Sequence, residues 1–233
     1  MFHYAAERSR FSREKLDQVA TLCKPGVPEQ QNALTEFKIW VESCQKGSIP
    51  RTDYLLVLAK FNVFRGLLNN GTDLGYSPGG GGGMGDNDAL SVFTDRSHAT
   101  TLTPSIPAAL RPTKLQRQIL HHPWIDILPF PRMRDNLLRA GDGYDDEALC
   151  TDLIGYSSGS YGKTGMIIWG EPWDPNSWEV TESFVRYWGW TIRGCEELLR
   201  ATNHWREKRG ERPLRFHSAI CEVEDFSDQQ NMG

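Results

Sequence analysis

Gly162-Lys163-Thr164 has the residue types that close a phosphate-binding loop, in which backbone amides and a lysine cradle a nucleotide. That chemistry also needs a glycine five residues earlier, where Ser157 stands, and an apolar strand ahead of it, which is missing. The triplet is therefore expected in a polar turn. His121 and His122 are of a type to ligate zinc together with Cys150 or Asp126. Adjacent residues of an extended segment point to opposite faces, so the two imidazoles do not converge on one ion and are expected to pack or hydrogen-bond instead. Glu171 and Asp174 match an acid–base carboxylate pair in residue type alone, and Asp174, ahead of Pro175, is better placed to cap a helix. No G-x-S-x-G elbow is present, and Cys23, Cys44, Cys150, Cys195 and Cys221 form no C-x-x-C pair, which suits free thiols in a reducing compartment. No catalytic, cofactor-binding or metal-ligating residue is assigned, no cofactor is expected, and the chain is read as a protein that makes or breaks no bonds, with an enzyme whose site escapes motif reading as an alternative.

The elements that would position these groups follow from apolar spacing and helix punctuation. Short helices are expected over 12–23, behind Ser12, and over 29–45, where Ala33, Phe37, Trp40, Val41 and Cys44 recur at offsets of three and four. Thr52-Asp53 opens a third, 53–68, apolar nearly all round its first turns and ended by Asn69-Asn70-Gly71, as befits the middle of a bundle. Thr113 would cap a short helix to Leu120. Pro123, Pro129 and Pro131 then force 124–130 into a buried, partly extended connection. Pro131 suits the first turn of a helix with Met133, Leu137 and Leu138 inside and Gly141 at its end. Asp145, Asp146 and Glu147 begin another, carrying Leu149, Leu153 and Ile154, and 166–169 reads as a brief strand or packed loop. A second dominant helix is expected over 174–206, with Phe184, Trp188, Ile192, Cys195 and Leu199 in one stripe. Gly189 and Gly194 inside it would cost about 1 kcal/mol each relative to alanine, a burden explained by close approach of another backbone. The fold class is all-α: an irregular helical bundle with two dominant long helices burying against each other, a proline-rich connection and a long Gly-rich loop. By region, 1–50 holds the N-terminal short helices, 51–70 and 111–206 form one helical core, 71–110 is a flexible insertion containing the glycine run 79–83, and 207–233 is a frayed tail.

The chain has 233 residues, 39% of them hydrophobic, with eight Trp, ten Phe and seven Tyr, enough to build a core without disulfides or metal. A net charge of −4 argues against nucleic-acid binding by bulk electrostatics. The stretch 205–215 departs from that balance, with Arg206, Lys208, Arg209, Arg212 and Arg215 against Glu207 and Glu211, a local +3. It suits a localisation or weak phosphate-contacting patch, or more simply a solvated helix end whose cations complement the dipole. Arg8, Arg10, Arg13 and Lys15 sit on no long basic helix and precede no heptad leucines, so no zipper-dimerised DNA reader is encoded here. The aromatic richness serves a core or, less simply, a cavity for an apolar small molecule. No signal peptide or membrane span is read, and a nuclear or cytosolic location is expected.

Three blocks carry a family resemblance: Asn62-Val63-Phe64-Arg65 within DYLLVLAKFNVFRGLL, the connection from His122-Pro123-Trp124-Ile125-Asp126 to Pro129-Phe130-Pro131-Arg132, and Trp173-Asp174-Pro175-Asn176-Ser177-Trp178-Glu179. In this order they resemble a fungal domain of unknown function, number 3425, found C-terminal to the basic leucine-zipper (bZIP) region of fungal transcription factors, over roughly 53–206. The resemblance implies a nuclear, transcription-associated regulatory or protein-interaction domain, here without its own basic region and zipper. Its expected partner is a protein, such as a zipper-containing regulator, with no specific DNA binding and no membrane. A standalone interaction or ligand-sensing protein is the alternative. The resemblance brings no functional residues.

Overall fold

The computed structural model describes residues 52–76, 89–94, 106–154 and 165–216. The helices expected over 12–23 and 29–45, the glycine run 79–83, the Gly162-Lys163-Thr164 turn, and Cys23, Cys44 and Cys221 lie outside the described residues. Within them stand five α-helices, α1 (Thr52–Asp73), α2 (Pro131–Ala140), α3 (Asp146–Ile154), α4 (Glu182–Trp188) and α5 (Glu196–Lys208), and two short strands, β1 (Met166–Ile168) and β2 (Trp178–Val180). The described residues are thus mostly helical, and the all-α expectation is corrected by an antiparallel hairpin with Met166 opposite Val180, Ile167 opposite Glu179 and Ile168 opposite Trp178.

α1 runs past Asn69-Asn70-Gly71, where the helix was expected to stop. Asn70 is fully buried there, and its Nδ2 donates to the carbonyls of Ile127 and Pro172, both at 3.0 Å. Two bonds to distant segments outweigh the few tenths of a kcal/mol by which asparagine disfavours a helix. Val63, Phe64 and Leu67 face the core, as does Leu74 just past the helix, while Arg65, Asn69, Thr72 and Asp73 face water, so this later half of α1 is one-sided. Gly66 lies where α1 meets β1: a Cβ there would come within 2.5 Å of Ile168 Cδ1 and 3.0 Å of Pro172 Cβ.

The long helix expected over 174–206 does not form. Asp174 does cap, accepting from Asn176 N–H at 3.0 Å, but only the 3-10 turn Pro175–Ser177, after which Trp178, Glu179 and Val180 are extended in β2. Aromatic and β-branched residues suit that state, and the partner strand Met166–Ile168 fixes it. Thr181 caps α4 through Phe184 N–H, and after Trp188 the chain tightens into consecutive turns ending at Gly194, whose φ of +78° lies outside any right-handed helix. Gly194 is therefore needed for its own dihedral and not for the approach of another backbone. Asn136 of α2 supports the turn, its Nδ2 donating to the carbonyls of Thr191 and Arg193, both at 2.9 Å.

The two longest helices do not form the expected paired rods. α1 packs on β1 and α5 on β2, so the hairpin stands between them. Met166, Ile168, Trp178 and Val180 alternate onto one face of it, and Ile167 and Glu179 onto the other. Trp178 is fully buried and meets Phe130 edge to face, 5.6 Å between ring centres. The outward N–H of Val180 donates to Thr202 Oγ1 of α5 at 3.0 Å, which satisfies a buried strand edge.

The other local expectations divide. Pro131 opens α2, Met133, Leu137 and Leu138 are buried, and Gly141 ends it. Asp145 accepts from Ala148 N–H at the start of α3, whose Leu149, Leu153 and Ile154 are buried. Residues 125–130 are buried as expected, with the 3-10 turn Pro123–Ile125 at their head. The Thr113 helix is instead a run of turns in which Thr113 Oγ1 accepts from Gln116 N–H. Residues 209–215, expected to fray, are tied down: Leu214 is buried, and its N–H donates to Asn203 Oδ1 at 2.7 Å.

Candidate functional site

Two polar constellations stand out, one inside the molecule and one at its surface. The inner one begins at Arg134, which α2 places on the same side as Leu137 and Leu138 because it precedes them by three and four residues. Its guanidinium is fully buried. Nη1 donates to the carbonyls of Ala109 and Leu128, Nη2 to that of Arg111 at 2.8 Å, and Nε to Gln116 Oε1 at 2.9 Å. Gln116 Nε2 in turn donates to Asp126, whose carboxylate also faces His121 Nε2 at 2.9 Å and accepts from the Tyr76 hydroxyl. Four segments distant in sequence are thereby joined: the end of α1, the 106–116 turns, the proline connection and α2.

Electrostatics explain why the cluster persists in the core. Burial lowers Arg134 to about 10, partly offset by the charges of Asp126 and Asp135, so it stays protonated at neutral pH. Burial and then the Asp126 charge push the Tyr76 phenol well above its ordinary range, which keeps it a neutral donor. Each charge is hydrogen-bonded, as burial requires. The arrangement can hold chain segments in place, and it presents no exposed nucleophile or base, since Ser91, Tyr76, His121 and Asp126 are all buried.

The expected candidates scatter around this cluster. His121 and Asp126 meet, but His122 turns away and accepts from Trp124 N–H through Nδ1, as the opposite-face rule requires. Cys150 sits on α3. Among the described residues no group of three or more His, Cys, Asp or Glu could hold a metal ion. Glu171 is exposed, and Asp174 is occupied as a cap. Burial, and secondarily nearby carboxylates, raise the thiols of Cys150 and Cys195 to about 11 and about 12, which leaves them almost wholly un-ionised at neutral pH. No helix among the described residues is long and apolar enough to cross a membrane.

The outer constellation lies where α5 crosses the hairpin. Glu179 on β2 is nearly buried and holds Arg209 through two bonds of 2.7 and 2.8 Å, while Trp169 Nε1 donates to the same carboxylate at 2.8 Å. These bonds, and then a second pairing with Glu211, raise Arg209 further above its ordinary value. Trp169 stacks on Trp205, with ring centres 5.4 Å apart and planes 20° from parallel. Arg209 Cζ lies 5.0 Å from the centre of Trp169, and Lys208 Nζ lies 4.6 Å from that of Trp205. Trp169 nevertheless keeps 43% of its surface in water.

The model of a family described as Domain of unknown function (DUF3425) matches residues 91–199. This stretch is a DUF3425 domain. The match is narrower than the expected 53–206, and the Asn62-Val63-Phe64-Arg65 block of α1 lies outside it. The DUF3425 domain includes Gln116, His121, Asp126 and Arg134 and one half of the surface ladder, Trp169 with Glu179. Trp205, Lys208 and Arg209 follow its end. No curated protein and no solved structure matches the chain.

Sequence reasoning missed Arg134, Gln116, Tyr76, Asn70, Asn136 and Glu179. A signal existed for Arg134 alone, a cation at helical spacing from two core leucines. The others take their roles from segments folded against them.

Proposed function

We propose that this chain is the regulatory or protein-interaction portion of a fungal bZIP-type transcription regulator, acting in the nucleus through a protein partner and without chemistry of its own. The observation that supports the reading most directly is the DUF3425 domain over 91–199, taken with the setting that the family resemblance implies. The solvent-facing indoles beside α5 add to it, because tryptophan and arginine side by side at a surface are the residue types that dominate protein interfaces. The zipper-containing regulator would supply DNA contact, and this chain would modulate it.

The test joins the chain to a heterologous DNA-binding domain in a fungal host and reads a reporter bearing that domain's site. Reporter output that rises or falls severalfold against the DNA-binding domain alone supports the proposal, and identical output overturns it. A fluorescent fusion excluded from the nucleus would overturn the assigned location. In gel-shift titrations the chain alone is expected to bind DNA weakly and without sequence preference, with affinity falling steeply as salt rises.

A further inference from the structure

Trp169 and Trp205 are stacked on each other, and a cation lies over each ring. Their N–H groups are also used, Trp169 on Glu179 and Trp205 on the Asn176 carbonyl at 2.9 Å. What the ladder offers solvent is therefore ring edge, and the edge of an aromatic ring carries partial positive charge. Around the ladder stand Arg206, Lys208, Arg209 and Arg212, with the carboxylates of Glu179, Glu207 and Glu211 among them. Arg209 is engaged with Glu179 and Glu211, and Arg206 with Glu211. Among the described residues Lys208 faces an indole and no carboxylate, and the exposed Arg212 side chain has no counterion. An apolar base bordered by uncompensated cations thus stands on a protein whose net charge is −4.

Resting on the interaction reading above, we propose that the Trp169–Trp205 ladder with Lys208 and Arg212 is the docking surface for an acidic peptide segment that carries apolar side chains between its carboxylates. Charge complementarity selects the acidic groups, and the indole edges give the apolar side chains a surface to cover. A single-stranded nucleic acid shares the negative charge but draws its affinity from bases laid on open aromatic faces, and here those faces are engaged by the stack and the cations.

The test uses the whole chain and three labelled synthetic peptides, of alternating Glu and Leu, Glu and Gly, and Lys and Leu, followed by fluorescence anisotropy. The Glu/Leu peptide should bind best, weaken as salt rises, and lose about tenfold in affinity on K208E together with R212E, two exposed changes that leave the core untouched. Glu/Gly should bind about tenfold more weakly for lack of apolar contact. Equal binding of Glu/Gly, binding indifferent to the charge reversals, no binding of any peptide, or tighter binding of an oligothymidine would each overturn the proposal. The reporter assay separates this claim from the one beneath it. An active reporter without peptide binding sinks the surface and leaves the regulatory role. A silent reporter with charge-dependent peptide binding does the reverse.

Discussion

Arg134 shows how one side chain can fix a fold. Its planar fork reaches four acceptors on the 106–116 turns and the proline connection, and a lysine of the same charge cannot reach them together. Arg134→Lys should therefore cost about 2–4 kcal/mol in urea denaturation, because carbonyls are left unpaired in the core. A loss under about 1 kcal/mol would mean that charge and not geometry matters there. The thiols yield a second expectation at this scale. Their native values, about 11 for Cys150 and about 12 for Cys195, lie above the ordinary value of 9.0. An unfolded chain releases these protons first, so their contribution is complete below pH 9.0 and is lost as pH climbs through the native values. Tyr76 and Tyr144 act in the same sense above their ordinary 10.0, while Arg134, lowered from 12.5 to about 10, and Lys60, lowered by burial from 10.5, oppose them. Four groups against two, with the two thiols titrating first, predict a urea midpoint that falls as pH is raised from about 8 to about 10.5, less steeply in Cys195→Ala. A midpoint that stays level or rises would contradict this.

At the scale of elements, the join between α5 and the hairpin depends on one hydroxyl. Thr202→Val keeps the shape and strands the Val180 N–H, so a loss of about 1–3 kcal/mol is expected, whereas Thr202→Ser should lose much less. Equal losses would show that the methyl group, which serine lacks, matters as much as the hydroxyl, which valine lacks. Gly194→Ala should cost about 1–2 kcal/mol by thermal denaturation, since φ is +78° and alanine strains there even though its Cβ would meet only the Arg132 side chain, at 3.4 Å or more. The legibility of the elements follows the range of the forces that make them. Pro131, Gly141 and Asp145 act on their own neighbours, so α2 and α3 could be read from spacing and caps. β2 could not: Trp178-Glu179-Val180 continues a plausible helical stripe until Met166–Ile168, whose partners lie ten or more residues away, supplies a ladder. The end of α1 was hidden for the same reason, because Asn70 obeys Ile127 and Pro172 and not its own sequence context.

For the molecule as a whole, the segment after α5 is part of the structure. Ending the chain after Lys208 removes Arg209 and leaves the nearly buried Glu179 with only an indole N–H. A destabilisation of about 2–3 kcal/mol is expected, below that of a fully buried pair because Arg209 is partly open to water. Glu179→Leu in the truncated chain should recover part of it, and no recovery would show that the charge was not the cause. The surface site was half legible by the same logic. The excess of cations over 205–215 is visible in the letters, but only the fold brings Trp169 beside Trp205, because the hairpin and the last helix must first meet.

The guanidinium of Arg134 takes hold of Ala109, Arg111 and Leu128 by their main-chain oxygens, which are alike in every amino acid. Descendants of this sequence are then at liberty to change letters at 109 and 111 without forfeiting a bond, while position 134 must keep its arginine. The restraint on divergence falls on the residue that grips the backbone and spares those it grips.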